Sequence, residues 1–240
     1  MMWIGILMDF ALCAGIALLL WAPLGRWAAD RIGAGRISAG LSLPITLGMA
    51  IWGYWILMLG LFGGLYKLAL LASAVVLFLA LGLHRRLLPG GYAEATVALS
   101  WQGKALVCAL GLLSLGYLAV VVGSALAPET AFDSLNVHLP YARDAAATHR
   151  AGFAANNWSS AMPALPLMSY ISAFLVSGVT LAKLFNALCY VLCGSVTYGF
   201  ARRWWGRARA MAAAALFWSC PIALYEATTA LIDLPFALYS

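Results

Sequence analysis

Runs of about twenty apolar residues recur along the chain and constrain its fold more than any motif. Trp3 to Ala22 is broken only by Asp9. Further runs lie at about Gly40 to Phe62, Tyr66 to Leu83, Ala105 to Leu126, Thr180 to Ala201 and Ala210 to Leu224, and LPFALYS reads as the first turns of another. About 20 apolar residues in a helix match the hydrocarbon thickness of a bilayer, and a helix satisfies its own backbone polar groups there. With 65% apolar and 9% charged residues over 240 positions, the chain is far from the roughly 25% charge of soluble domains. The expected fold is all-α: a polytopic transmembrane helical bundle with an outer loop carrying juxtamembrane helices. The first run reads as a span and not as a cleaved leader, because no basic residue precedes it.

The net charge of +6 does not point to nucleic acid, since the basic residues sit in short connections between apolar runs, where they set orientation. If the short apolar segment Leu167 to Val179 stays on one surface, ten of the fourteen Lys and Arg residues fall on one side. They are Arg26, Arg31, Arg36, Arg85, Arg86, Lys104, Arg202, Arg203, Arg207 and Arg209. That side is expected to be cytoplasmic. Five of the eight acids, Glu129, Asp133, Asp144, Glu226 and Asp233, then share the outer face with the amino terminus. At about thirteen residues, Leu167 to Val179 is too short for an ordinary span and suits a surface-lying or re-entrant helix. The five cysteines lie in apolar runs without zinc-site spacing; Cys189 and Cys193, one turn apart, read as small buried hydrophobes. Asp9 reads as a hydrated residue at the membrane edge.

The one long polar interval, Pro128 to Pro166, holds three of the eight acids and two of the three histidines. Charged groups beside a bilayer need water, a partner or a substrate. A helix is expected from about Leu135 to Ala151, carrying His138, Arg143, His149 and Arg150. Arg143 and Arg150, seven apart, would share a face and meet either a lipid phosphate or ordinary anionic headgroups. Asn157-Trp158-Ser159 matches a glycosylation sequon, a pattern common by chance, and Trp158 reads as an interface anchor.

PETAFDSLNVHLPYARDAAATHRAG resembles the first outer loop of bacterial membrane glycosyltransferases of the C type (GT-C), with Phe132, Asp133, Leu135, His138, Leu139, Pro140, Ala142 and Gly152 in the matching places. The span ending in Ala201-Arg202-Arg203-Trp204-Trp205-Gly206-Arg207, the small-residue span after it and YEATTALIDLP resemble the approach to, and the body of, the family's second outer loop. The likeness is to the O-mannosyltransferase and aminoarabinose transferase group and covers roughly residues 104–240, the first part of a catalytic membrane module. Residues 1–103 form an amino-terminal three-helix extension outside it. Family members usually run on through further spans, so the 240 residues are expected to be an amino-terminal piece, inactive alone.

The resemblance implies transfer of a sugar from a polyprenyl-phosphate carrier to an unidentified acceptor, at the outer face of a bacterial cytoplasmic (inner) membrane. The family's first-loop aspartate carries over to Asp133, as base or acceptor-orienting carboxylate. Displacement at an anomeric carbon requires such a charge beside the attacking group. Its second-loop acid carries over to Asp233, which in some members helps hold a divalent metal and in others contacts the acceptor; Asp133 and Asp233 would suit magnesium or manganese. Each aspartate has a purely structural alternative as a helix cap. Glu226 is either a third acidic wall or a hydrated interfacial residue, and Glu129 reads as a solvated loop carboxylate. His138, within the family-like run, is expected to make a structural hydrogen bond, and with Arg143, Arg150 and Glu226 completes the substrate-facing set. A different class stays open: a polytopic transporter or channel with an acidic outer vestibule. Against it, the acids sit at span ends and no internal repeat is visible.

Overall fold

A computed structural model describes residues 2–33, 40–83, 99–153, 160 and 164–240. The sequon, Trp158, Arg36, His84, Arg85 and Arg86 lie outside the described residues. Every regular element among the described residues is helical: α1 (Met2–Gly15), α2 (Ala22–Arg31), α3 (Ser42–Leu61), α4 (Lys67–Ala80), α5 (Trp101–Leu126), α6 (Leu139–Thr148), α7 (Ala164–Val176), α8 (Val179–Trp218), α9 (Pro221–Thr228) and α10 (Asp233–Tyr239), with π-helical turns at Ile16–Trp21 and Ser134–His138. Four stretches are long and apolar enough to cross a membrane: Ile4–Arg31, Ser42–Leu61, Trp101–Leu126 and Val179–Trp218.

Several boundaries differ from those the hydropathy suggests. The first helix does not stop near Ala22 but continues through the π turn to Arg31, so Arg26 and Arg31 are on a helix and not in a loop. Helix propensity is indifferent to where hydropathy falls, and arginine is a good helix former. The third expected span is a helix of only 14 residues, Lys67–Ala80. The basic stretch 202–209 is also helical, broken at the single residue Gly206 (φ 76, ψ 177). Only glycine occupies that backbone region readily, and there the chain doubles back: Trp218 Nε1 donates to Tyr190 O at 3.2 Å, and the Tyr190 hydroxyl donates to Trp218 O. Residues 207–218 then end, and Pro221 starts a new helix in place of one continuous run to Leu224.

Close backbone approach holds α2 to α3. A Cβ on Gly48 would stand 1.8 Å from Trp21 O, and one on Gly25 would stand 1.7 Å from Pro44 O. Small residues at such crossings let apolar helices pack by dispersion where no hydrophobic effect drives them together. Trp21, fully buried, packs its ring on Phe185 of α8 at 4.9 Å. Helices on both sides of residue 103 thus share one apolar core, which includes Met49, Trp52, Ile171 and Cys189. The outward side chains of α5 are large and apolar, among them Leu112, Leu115 and Val120.

Helix α7 is not surface-lying as expected. Leu167, Met168, Tyr170, Ile171 and Ala173 are at most 1% exposed, beneath α3, α6 and α8. Its apolar residues cover all faces, and a helix of that kind is stable only when surrounded. Cys189 and Cys193 are buried, as expected, and all five cysteines are free. Asp9 is not hydrated: it is 8% exposed and accepts a hydrogen bond from the Ser177 hydroxyl.

Segments that the charge pattern assigns to one side meet at one end of the bundle. His149 lies beside the turn between α3 and α4, its Nδ1 3.0 Å from Leu65 O and its ring stacked on Tyr66 at 3.8 Å. Ala151 N donates to Gly60 O at 3.1 Å, and Lys67 Nζ to Val176 O at 3.1 Å. The Asp9–Ser177 bond joins the same end.

Candidate active site

Two loops meet at this end, one between α5 and α6 and one between α9 and α10. Glu129 joins them. Its Oε1 accepts from the N–H groups of Thr130 (2.8 Å) and Ala131 (2.9 Å), and its Oε2 from Ala230 N at 2.9 Å, 101 residues away. The expectation of a solvated loop glutamate is overturned by these bonds. A carboxylate offers two oxygens with several lone pairs, and three converging N–H donors occupy it better than water.

Helix α8 fixes both loops from below. Lys183, 1% exposed, donates from Nζ to Ser124 O (2.8 Å) and Ala127 O (2.9 Å), closing the carboxyl end of α5, where a cation complements the helix dipole. One turn on, Asn186 Nδ2 donates to Glu226 O (2.7 Å) and Thr229 O (2.8 Å). From α7 the Tyr170 hydroxyl donates to Leu231 O. Sequence reading passed over Lys183, Asn186 and Tyr170. An ionisable residue and an amide one turn apart in an apolar run were the signal available, since such groups in a span need a built partner.

Within this frame the structure brings together four of the six residues singled out from the sequence: Asp133, His138, Glu226 and Asp233. Asp133 is exposed and makes no side-chain capping bond. Asp233 is the first residue of α10, whose cap position is Ile232, so neither aspartate caps a helix as the structural alternative expected. Glu226 is half-buried. Burial pushes its carboxyl up to about 7, and the nearby charges of Asp233 and Asp133 push the same way. Among the described residues, Glu226 Oε2 has no hydrogen-bond partner.

His138, 5% exposed, stands in the π turn that follows Asp133. π turns inside helices are frequent at functional sites. Burial holds the imidazole below its ordinary value, while the charges of Asp133 and Asp233 pull upward. Among the described residues, His138 Nδ1 and Ser134 Oγ are buried without a partner, so the expected structural hydrogen bond is not made at Nδ1.

Arg143 and Arg150 are not brought into this group by the helix that was expected to carry them. Helix α6 ends at Thr148, His149 turns left-handed (φ 61), and Arg150 lies beyond the helix, over Gly63. Arg143 is exposed and pairs with its neighbour Asp144 at 3.1 Å. Among the described residues, no group of three or more His, Cys, Asp or Glu side chains is arranged to hold a metal ion. Among the described residues, Asp133 and Asp233 therefore lack a third ligand of those types. A separate cavity of about 310 Å³, lined by Ser114, Leu118, Tyr190 and Trp218 among others, lies where α5 meets the two arms of α8. Its walls are apolar, and it holds none of the carboxylates. No protein-family description, curated protein or solved structure matches the chain.

Proposed function

We propose that the chain spans a bacterial cytoplasmic membrane several times and acts as a glycosyltransferase of the GT-C kind, moving a sugar from a polyprenyl-phosphate carrier to an acceptor at the outer face. The observation that carries this reading is that Asp133 and Asp233, a hundred positions apart, both act on His138 and Glu226 at one end of an apolar bundle. A lipid-linked donor presents its anomeric carbon at the height of that end, and Asp133 is free to orient the attacking group. A negative charge fixed beside a nucleophile that becomes positive as it attacks lowers the barrier in the transition state.

The test is transfer from radiolabelled polyprenyl-monophosphate sugars, offered as a panel to the protein, expressed with any coding sequence that follows residue 240, in nanodiscs with bacterial lipid extract as the acceptor source. Transfer should fall by about 10²-fold or more in Asp133→Asn, the range for losing a positioned electrostatic group. No turnover of any donor, or full activity in Asp133→Asn, would sink the proposal.

One observation favours the second reading, a transporter or channel. Helices α9 and α10 form a bent pair, 111° apart across residues 229–232, of the kind that transporters use to bind substrates within broken helices. Gradient-driven uptake abolished by Asp233→Asn, with no sugar transfer, would select it.

A further inference from the structure

The cavity of about 310 Å³ between α5 and the two arms of α8 has walls that offer water almost nothing. Its polar side chains are spent on neighbouring carbonyls. Ser114 Oγ donates to Leu110 O (2.8 Å), Ser195 Oγ to Val191 O (2.7 Å), Trp218 Nε1 to Tyr190 O (3.2 Å), and the Tyr190 hydroxyl to Trp218 O. A buried water needs about 2–4 polar partners, and an apolar cavity of about 150 Å³ stays dry and admits a benzene-sized guest. A larger apolar cleft inside candidate spans suits a hydrocarbon chain.

A second observation supplies that chain with a head. Helix α5 and the first arm of α8 run antiparallel, since Lys183 meets Ser124 and Ala127 at the carboxylate end. The cavity lies toward the other end. On α5, Lys104, Cys108, Gly111, Leu115 and Leu118 recur at helical spacing as one stripe, and the last three line the cavity. On α8, Arg207 precedes the lining residue Met211 by four positions, and Arg202 follows the lining residue Ser195 by seven. Residues so spaced share a helix face. A cation from each of the three walls therefore stands above the same mouth. At a rise of about 1.5 Å per residue, Arg207 is about 6 Å above Met211, Lys104 about 10 Å above Gly111 and about 21 Å above Leu118. One leaflet of hydrocarbon is about 15 Å deep, so the cavity occupies the depth of an acyl chain below a headgroup. Trp101, Trp204 and Trp205, exposed by 79%, 72% and 57%, belong to the same end, as tryptophans do at headgroup level. Neither α5 nor α8 contains an acidic residue.

We propose that this cleft is a site for one anionic phospholipid of the leaflet opposite the carboxylate end, with an acyl chain in the cavity and the phosphate met by Lys104, Arg202 and Arg207. The proposal rests on the membrane-spanning part of the reading above and not on glycosyltransfer. A guanidinium matches a phosphate with two parallel donors, and basic pockets between spans collect anionic headgroups.

The test is photo-crosslinking of the protein in nanodiscs with phosphatidylglycerol that carries a diazirine midway along one acyl chain. Crosslinks should concentrate on residues 111–118, 190–195 and 211–218. Unlabelled phosphatidylglycerol should compete them away, and phosphatidylcholine with the same chains should compete far less. Lys104→Gln and Arg207→Gln should each weaken the preference for the anionic lipid about fivefold, the usual worth of one basic residue at an anionic surface. Gly111→Phe sets a ring in the cavity from a position where a Cβ meets no atom within 4 Å, and should abolish crosslinks to 211–218 with the cations intact. Melting curves identify a Gly111→Phe variant that has not folded, in which case the wild-type map and the two charge variants decide. Crosslinks spread evenly over the outward face of α5, equal competition by phosphatidylcholine, or full crosslinking in folded Gly111→Phe would overturn the proposal. Displacement by inorganic phosphate alone would do the same, because it marks a bare anion site. No crosslink to any apolar helix would overturn it together with the membrane reading.

Discussion

Replacing Glu129 by alanine tests whether one side chain sets the register of the two loops. The carboxylate accepts three backbone N–H bonds, two inside its own loop and one from Ala230. Hydrogen bonds to a charged group contribute about 1.5–3 kcal/mol each. Glu129 is half-buried, which places the cross-loop bond at the lower end, about 1.5 kcal/mol. That energy corresponds to about a tenfold change in an equilibrium constant. Hydrogen exchange with mass spectrometry on the protein in nanodiscs should therefore show the amide of Ala230 exchanging about tenfold faster in Glu129→Ala. Glu129→Gln keeps one neutral acceptor oxygen and should fall between the two. The amide of Ala151, bonded to Gly60 O at the same end but not to Glu129, should not change. Equal exchange at Ala230 in wild type and Glu129→Ala would refute the assignment of Glu129 as the link. Equal acceleration at Ala151 would show that the whole end had loosened instead.

Three further outcomes follow from the same geometry. The Glu226 carboxyl is raised, so the folded state binds its proton more tightly than the unfolded chain. Stability is fullest below the ordinary carboxylate range and falls as pH rises through about 7; melting curves should show this fall in wild type and a flatter profile in Glu226→Gln. Gly48→Ala drives a methyl into the Trp21 carbonyl, 1.8 Å away, and should cost about 1–3 kcal/mol in thermal unfolding, whereas Gly111→Ala, with nothing within 4 Å, should be nearly silent. Gly206→Ala also meets no atom within 4 Å, so a loss of about 1–3 kcal/mol there would come from its backbone angles alone, and no loss would mean the reversal is not fixed by glycine.

Much of the architecture is legible in the chain itself, because hydropathy and helix propensity are properties of neighbouring residues. The apolar runs mark helices α1, α3 and α5 and the first arm of α8, and the charge pattern assigns five of the eight acids to one side as an expectation. The association of Asp133 with Asp233 follows from that sidedness together with the motif likeness. Boundaries were less legible where a helix outlasts its apolar run, as at Arg31, or where one glycine replaces a loop, as at Gly206.

What tertiary structure alone decides is which polar groups meet. Glu129 looks unremarkable in sequence, and Lys183 and Asn186 show only as polar groups in an apolar run; their partners lie 101, 56 to 59 and 40 to 43 residues away. The burial of α7 likewise depends on helices folding back over it. Local pattern determines that a segment is helical and which end is polar. The partner of a buried donor or carboxyl is set by the packing of helices remote in the chain, and no local periodicity encodes it.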